Sequence, residues 1–166
     1  MIKGIFAVDY WGGMGLEGSL PWAFHSEDMN YFKEHTLNNI VVMGRKTWDD
    51  PQMPKPLKNR QCYVVTNREL NYDHVRTLLG NINEKIIQLQ ENFPRLTVWI
   101  IGGPTLLMQT KPLLEELHVT HFKAAYKTDC KLDLNKFLLG FRVTGSKPSL
   151  DRQCNWMTYK NIDLFR

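Results

Sequence analysis

The order in which apolar runs alternate with helical patterns constrains this chain more than any single motif. Strand-like runs rich in β-branched and aromatic residues fall at about 2–9, 40–44, 61–66, 97–101, 116–123, 140–146 and 154–163. Helical spacing fits 26–36, 46–50, 81–93 and 104–110. In the third of these, Ile82, Ile86, Leu89 and Phe93 form one apolar stripe, and Pro94 stops it. The first two thirds therefore alternate strand and helix, and the last third is strand alone. Parallel strands need crossover helices, whereas consecutive strands pair antiparallel. The expected fold is α/β: a central mixed sheet, mostly parallel, with a C-terminal antiparallel hairpin and about four flanking helices. Pro51, Pro54 and Pro56 mark an extended loop rather than a boundary, so 1–166 reads as a single domain.

Composition narrows the classes of function. With 43% hydrophobic residues in 166, the chain can bury a full core without staples. Cys62, Cys130 and Cys154 are odd in number and lack CxxC spacing, which argues for reduced thiols in the cytoplasm. The opening MIKGIFAVDYWGG is too short in its apolar part for a signal peptide, and no run reaches membrane-spanning length. An excess of 21 basic over 17 acidic residues suits an anionic ligand, but without a basic cluster nucleic acid is not an expected partner. His118 and His121 point to opposite faces of a strand, and His25, His35 and His74 are scattered, so no metal site is expected.

Four segments carry chemistry. Asp28 stands near a helix start with Tyr31 and Phe32 on its own face and Trp22 just before. A carboxylate against aromatic rings needs a polar partner or a proton-handling role. The ordinary explanation is that Ser26 caps the helix and Glu27 and Asp28 sit where the helix dipole favours negative charge. Upstream, Gly13-Met14-Gly15-Leu16-Glu17-Gly18 fits GxGxxG, but Ser19-Leu20-Pro21-Trp22 follows and no helix starts before about Ser26. The dinucleotide fingerprint requires a helix there, so that reading fails and a flexible loop or a lid remains. Gly44-Arg45-Lys46-Thr47-Trp48 opens a helix after a strand and is either a phosphate site or a solvated basic turn. Ile101-Gly102-Gly103-Pro104-Thr105 and Thr66-Asn67-Arg68 also end strands. They offer ligand contacts there, or are respectively a tight turn and a capped strand end.

Taken in order, these pieces resemble dihydrofolate reductase of the bacterial or phage type over essentially the whole chain. The matching residues are Ile5 and Ala7, then Gly15 to Trp22, then Asp28-Met29-Asn30-Tyr31-Phe32-Lys33. Val42 to Trp48, Pro56 to Arg60, Ile101-Gly102-Gly103 and Val119-Thr120-His121 follow. The resemblance implies reduction of 7,8-dihydrofolate to tetrahydrofolate, with hydride passing from NADPH to pterin C6 and a proton reaching N5 through water. It makes Asp28 the pocket carboxylate, with Thr120 as a second polar contact and Trp22 holding the water. Ile5 and Ile101 would recognise the pterin through backbone carbonyls, and Ala7 would contact the nicotinamide carboxamide. Met29, Phe32 and Leu57 would line the aminobenzoyl slot, and Arg60 would pair with the glutamate α-carboxylate.

For NADPH the resemblance implies phosphate contacts from Gly44, Arg45, Lys46 and Thr47, and from Gly102, Gly103, Pro104, Thr105 and Leu106, with Leu107 and Gln109 nearby. Val65, Thr66, Asn67 and Arg68 would border the adenosine 2′-phosphate. Met14, Gly15, Gly18, Ser19 and Leu20 would belong to a lid over the nicotinamide, braced by the loop at Thr128-Asp129. A cis peptide between Gly102 and Gly103, binding of antifolate inhibitors and a cytoplasmic monomer are also implied. The chain departs from the family pattern at Leu107, where an aromatic is usual, at Pro104, at Thr128, and at the glycine-rich Trp11-Gly12-Gly13. The alternatives are a riboflavin-pathway pyrimidine reductase and a catalytically silent scaffold of the same fold. Asp28 with Phe32 and Arg60 speaks against the first, and the intact phosphate set against the second.

Overall fold

The computed structural model describes residues 1–164. The strands are Ile2–Val8 (β1), Gly13–Gly15 (β2), Ile40–Gly44 (β3), Gln61–Val65 (β4), Val75–Leu78 (β5), Val98–Gly102 (β6), Glu116–Phe122 (β7), Cys130–Lys131 (β8), Phe141–Pro148 (β9) and Cys154–Asn161 (β10). The helices are Ser26–Thr36 (α1), Arg45–Trp48 (α2), Ile82–Asn92 (α3), Pro104–Thr110 (α4) and Leu134–Phe137 (α5), with a 3₁₀ turn at Lys111–Leu113. Eight strands form one sheet in the order β5-β4-β3-β6-β1-β7-β10-β9, and β2 pairs with β8 apart from it. The pairings from β5 through β7 are parallel, and β10 runs antiparallel to both β7 and β9. This is the mixed sheet with a C-terminal antiparallel hairpin that the alternation predicts.

The differences lie where the local signal is weak. β5 is a short edge strand that is mostly exposed, so burial never imposed an apolar pattern on it. The β2–β8 ribbon is only three residues against two, with glycine at two of the five positions, and α5 is a single turn. None of these three features is expected from periodicity. In α1, the capping residue is His25 rather than Ser26: its Nδ1 accepts from the Asp28 backbone N–H at 3.1 Å, and Ser26 is already helical. An imidazole nitrogen replaces the usual capping oxygen here because Asp151 Oδ2, 2.7 Å from Nε2, fixes the ring.

Both faces of the sheet are covered. On one face Phe6, Val8, Val42, Ile100 and Val119 pack against Ile82, Ile86 and Leu89 of α3 and Leu106 and Leu107 of α4. On the other face Ile5, Val41, Met43 and Trp99 pack against Trp48, Leu57 and the rings of Tyr31 and Phe32 from α1. Neighbouring residues of one strand alternate between the two clusters, which is why the central strands read as unbroken apolar runs. Among the described residues two peptides are cis, Lys55–Pro56 and the expected Gly102–Gly103. No helix among the described residues is long and apolar enough to cross a membrane.

Candidate active site

The packing of α1 on β7 and β10 decides the surroundings of Asp28. In the sheet Ala7, Thr120 and Trp156 form one row across β1, β7 and β10. Asp28 lies against that row, only 8% exposed. Its Oδ1 accepts from Thr120 Oγ1 at 2.7 Å and from Trp156 Nε1 at 3.0 Å. Oδ2 has no donor among the described residues. Burial of a carboxylate is costly unless its oxygens are hydrogen-bonded. Here one oxygen is doubly satisfied and the other is left for a ligand. Trp22 lies in a small cluster with Phe122, Cys154, Ala7 and Trp156, its ring stacked on Phe122 at 4.3 Å.

Below Asp28, Ile5, Phe32, Leu57 and Ile101 belong to one apolar cluster, and Met29 is half-buried on the same helix. Arg60 Nη1 donates to Thr36 Oγ1 at 3.3 Å and its Nε to the Lys58 carbonyl at 2.9 Å. It forms no ion pair with a carboxylate among the described residues. Beside it opens a cleft of about 680 Å³, lined by Lys58, Arg60, His74 and Arg76 and by no acidic side chain. Such a place suits a ligand carboxylate.

The parallel register brings a second group together. Gly44 lies opposite Val65, and Met43 opposite Gly102, so the carboxyl ends of β3, β4 and β6 deliver Gly44 to Thr47, Val65 to Arg68 and Gly102 to Leu106 to one edge. Arg45 Nη1 donates to Thr66 Oγ1 at 3.3 Å, and its Nε to both oxygens of Asp49. Lys46 and Arg68 are exposed and form no ion pair among the described residues. A Cβ on Gly102 would stand 3.6 Å from Thr47 Oγ1 and one on Gly103 4.0 Å from it, so the glycine pair leaves a hollow that a side chain would fill. Unpaired cations, a hydroxyl and bare backbone together fit the phosphates of a dinucleotide. Asn67, Thr105 and Gln109 are exposed on this edge, and Pro104 is half-buried. Leu107 is different: it is 0% exposed, inside the core beside Gly4.

The glycine-rich segment joins the two groups. β2 pairs with β8, Asp129 Oδ2 accepts from the Glu17 N–H at 2.9 Å, and the Asp129 N–H donates to the Gly15 carbonyl. Ser19 Oγ donates to Asp50 Oδ1 at 2.7 Å, while Leu20 stays exposed. Its glycines answer to close approach. A Cβ on Gly12 would meet the Leu132 carbonyl oxygen at 2.4 Å, and one on Gly13 would meet Thr128 Cγ2 at 2.5 Å. Gly12 also has φ +81°.

Sequence reasoning passed over three residues here. Trp156 donates to Asp28 from a strand far along the chain. Asp9, buried, accepts from the N–H groups of Trp11 and Gly13 through Oδ1 and of Tyr126 through Oδ2, and so fixes the base of the glycine segment. His25 caps the helix that carries Asp28. The signals available were a tryptophan and an aspartate inside otherwise apolar runs, each needing a polar partner once buried. His25, Glu27 and Asp151 place their ligand atoms within 4.8 Å of one another. Those atoms are already committed: His25 bridges Asp28 and Asp151, and Glu27 accepts from the N–H groups of Leu150 and Asp151. The cluster is a clasp between α1 and the β9–β10 turn.

Comparison with known proteins agrees with this geometry. The sequence profile of the dihydrofolate reductase family matches residues 1–161. The dihydrofolate reductase type 8 of Escherichia coli is 27% identical over 149 residues, 87% of each chain. The dihydrofolate reductase of Bos taurus is 32% identical over 154 residues, 81% of each chain. Among solved structures, a dihydrofolate reductase from Enterococcus faecalis, complexed with NADP(H) and RAB-propyl, superposes with a TM-score of 0.79 at 23% identity, covering 96% of this chain and 95% of that one. With a buried carboxylate on α1, a cationic edge at the strand ends and a profile match along the sheet, the chain belongs to the dihydrofolate reductase family.

Proposed function

We propose that this chain reduces 7,8-dihydrofolate to 5,6,7,8-tetrahydrofolate with NADPH, as a cytoplasmic monomer, and that Asp28 is its pocket carboxylate. The observation that carries the assignment is the half-satisfied Asp28, with Oδ1 held by Thr120 and Trp156 and Oδ2 without a protein donor. The carboxylate accepts from the pterin ring nitrogen and 2-amino group as a bidentate acceptor that orients the ring, and its charge favours the protonated, activated substrate. Trp22, in the neighbouring cluster, holds the water that carries a proton to N5. Ile5 and Ile101 recognise the pterin through their carbonyls, and Met29, Phe32 and Leu57 take the aminobenzoyl ring. Arg60 takes the α-carboxylate.

NADPH, when bound, supplies the hydride that pterin C6 receives. Arg45, Lys46, Thr47, Gly102, Gly103 and Thr105 hold its pyrophosphate edge, and Thr66, Asn67 and Arg68 its 2′-phosphate. Residues 14–20, tied to Asp129 and Asp50, close over the site and exclude water. The test is NADPH oxidation by purified protein with and without dihydrofolate, and with an antifolate as control. Dihydrofolate-dependent oxidation that the antifolate blocks is the expected result. Cofactor binding without turnover would refute the proposal and leave a silent scaffold.

A further inference from the structure

Thr120 and Trp156 are cross-strand partners on β7 and β10, and their side chains meet at the same oxygen of Asp28. The indole is itself held in place. Its ring stacks on Tyr31 at 5.0 Å with planes 10° apart. Tyr31 lies one turn beyond Asp28 on α1, and its OH is 3.2 Å from His118 Nδ1. His118 Nε2 is 3.0 Å from Glu116 Oε1, and Glu116 pairs with Lys3 at 2.9 Å. A chain of contacts thus runs from the half-buried Lys3 to the indole whose N–H meets the carboxylate.

We propose that Trp156 is a positioning residue for the reaction assigned above: with Thr120 it occupies Oδ1 of Asp28, fixes the orientation of the carboxylate and leaves Oδ2 to the pterin. The proposal rests on Asp28 being the pocket carboxylate. A hydrogen bond from N–H to a charged oxygen is stronger than a neutral one, so two donors on one oxygen hold the carboxylate in a single orientation. Other titratable groups around Asp28 are Tyr31, Glu27 and His25 from its own segment, Cys154 from β10 and Asp151 from the adjoining turn. Burial, aided by the charge of Asp28, pushes Tyr31 up to about 12. Burial foremost, with Asp28 contributing, also pushes the Cys154 thiol up to about 11. Neither changes charge in the working range of an assay.

The test is Trp156→Phe, which keeps a ring on Tyr31 and removes the N–H, measured beside Asp28→Asn and the parent across pH 5 to 9. The expected result is a KM for dihydrofolate raised about tenfold or more, with kcat changed less. Affinity for NADPH stays unchanged. If Asp28→Asn is inactive at neutral pH while Trp156→Phe keeps the parental KM, the indole is only a wall and the proposal falls alone. If Asp28→Asn turns over normally, the functional reading of Asp28 fails and takes this proposal with it. Should Trp156→Phe not fold, the assigned indole N–H resonance of Trp156 is followed in the parent and in Asp28→Asn. Loss of the charge moves it upfield; an unchanged resonance overturns the proposal.

Discussion

The Asp28 half and the Lys46–Arg68 half of the candidate site are held together by opposite means. Around Asp28 the groups are buried or half-buried and already bonded: the carboxylate to Thr120 and Trp156, the helix start to His25, and Tyr31 to His118. Around Lys46 and Arg68 the cations are exposed and no acid pairs with them among the described residues, while Arg45 shares Asp49 at the surface. Buried polar networks are pre-organised and respond to protonation, because an uncompensated charge there is costly. Exposed cations keep their rotamer freedom until a ligand arrives, and salt screens them. The first half should therefore fail through chemistry and pH, and the second through affinity and ionic strength.

The largest effect that sharpens this contrast is expected from Asp28→Asn. It keeps the fold and lowers kcat by about 10²–10⁴ at neutral pH, the usual size for a positioned proton-handling group. Steady-state kinetics with a melting curve separate the two, and near-normal turnover would remove the contrast at its strongest point.

Next comes the pH dependence of stability. Burial, partly offset by Glu116, pushes His118 down to about 4 from an ordinary 6.5. Between those values the unfolded chain binds more protons than the native one, so stability is intact above about pH 6.5 and is lost as pH falls toward 4. Unfolding free energies from urea titrations should fall by roughly 2–3 kcal/mol over that window, and His118→Gln should flatten the slope. A flat profile in the parent would show that the network around Tyr31 does not depend on a neutral imidazole.

A smaller effect belongs to the other half. Arg68→Ala should raise the KM for NADPH about tenfold, leave kcat nearly alone and reduce the preference over NADH. The salt dependence of that KM should weaken in the variant. A loss of kcat instead would mean that the two halves are not separable.

The smallest effect concerns the brace between them. Asp129→Asn keeps one amide oxygen as an acceptor for the Glu17 N–H but drops the charge, and a change in kcat of about two- to threefold is expected. Stopped-flow kinetics of cofactor binding would register it as altered lid motion. No change in any rate would confine Asp129 to local structure.

How much of this was legible in the sequence follows from where each signal lives. Gly44 to Thr47 and Gly102 to Thr105 are contiguous and sit where a strand gives way to a helix, so local pattern alone exposes them. Asp28 was visible because its aromatic neighbours lie on the same helix. Trp156 was not, since its meeting with Asp28 exists only after β10 pairs with β7 and α1 docks over both. Asp9 was hidden for a similar reason: its partners are backbone N–H groups, one of them at Tyr126, which leave no mark on composition. The His25 cap escaped because Ser26 beside it is the commoner capping residue. Leu107 shows the reverse limit, since matching a family position said nothing about a side chain that the core encloses completely.

The measurement that tests the central claim most directly is kcat/KM for dihydrofolate from pH 5 to 9 in the parent and in Asp28→Asn. If Asp28 favours the protonated substrate, the variant depends on substrate that arrives already protonated. Its activity should then climb about tenfold per unit of falling pH and approach the parent at the acid end. Two profiles that run parallel across the whole range would contradict the account and place the proton-handling group elsewhere.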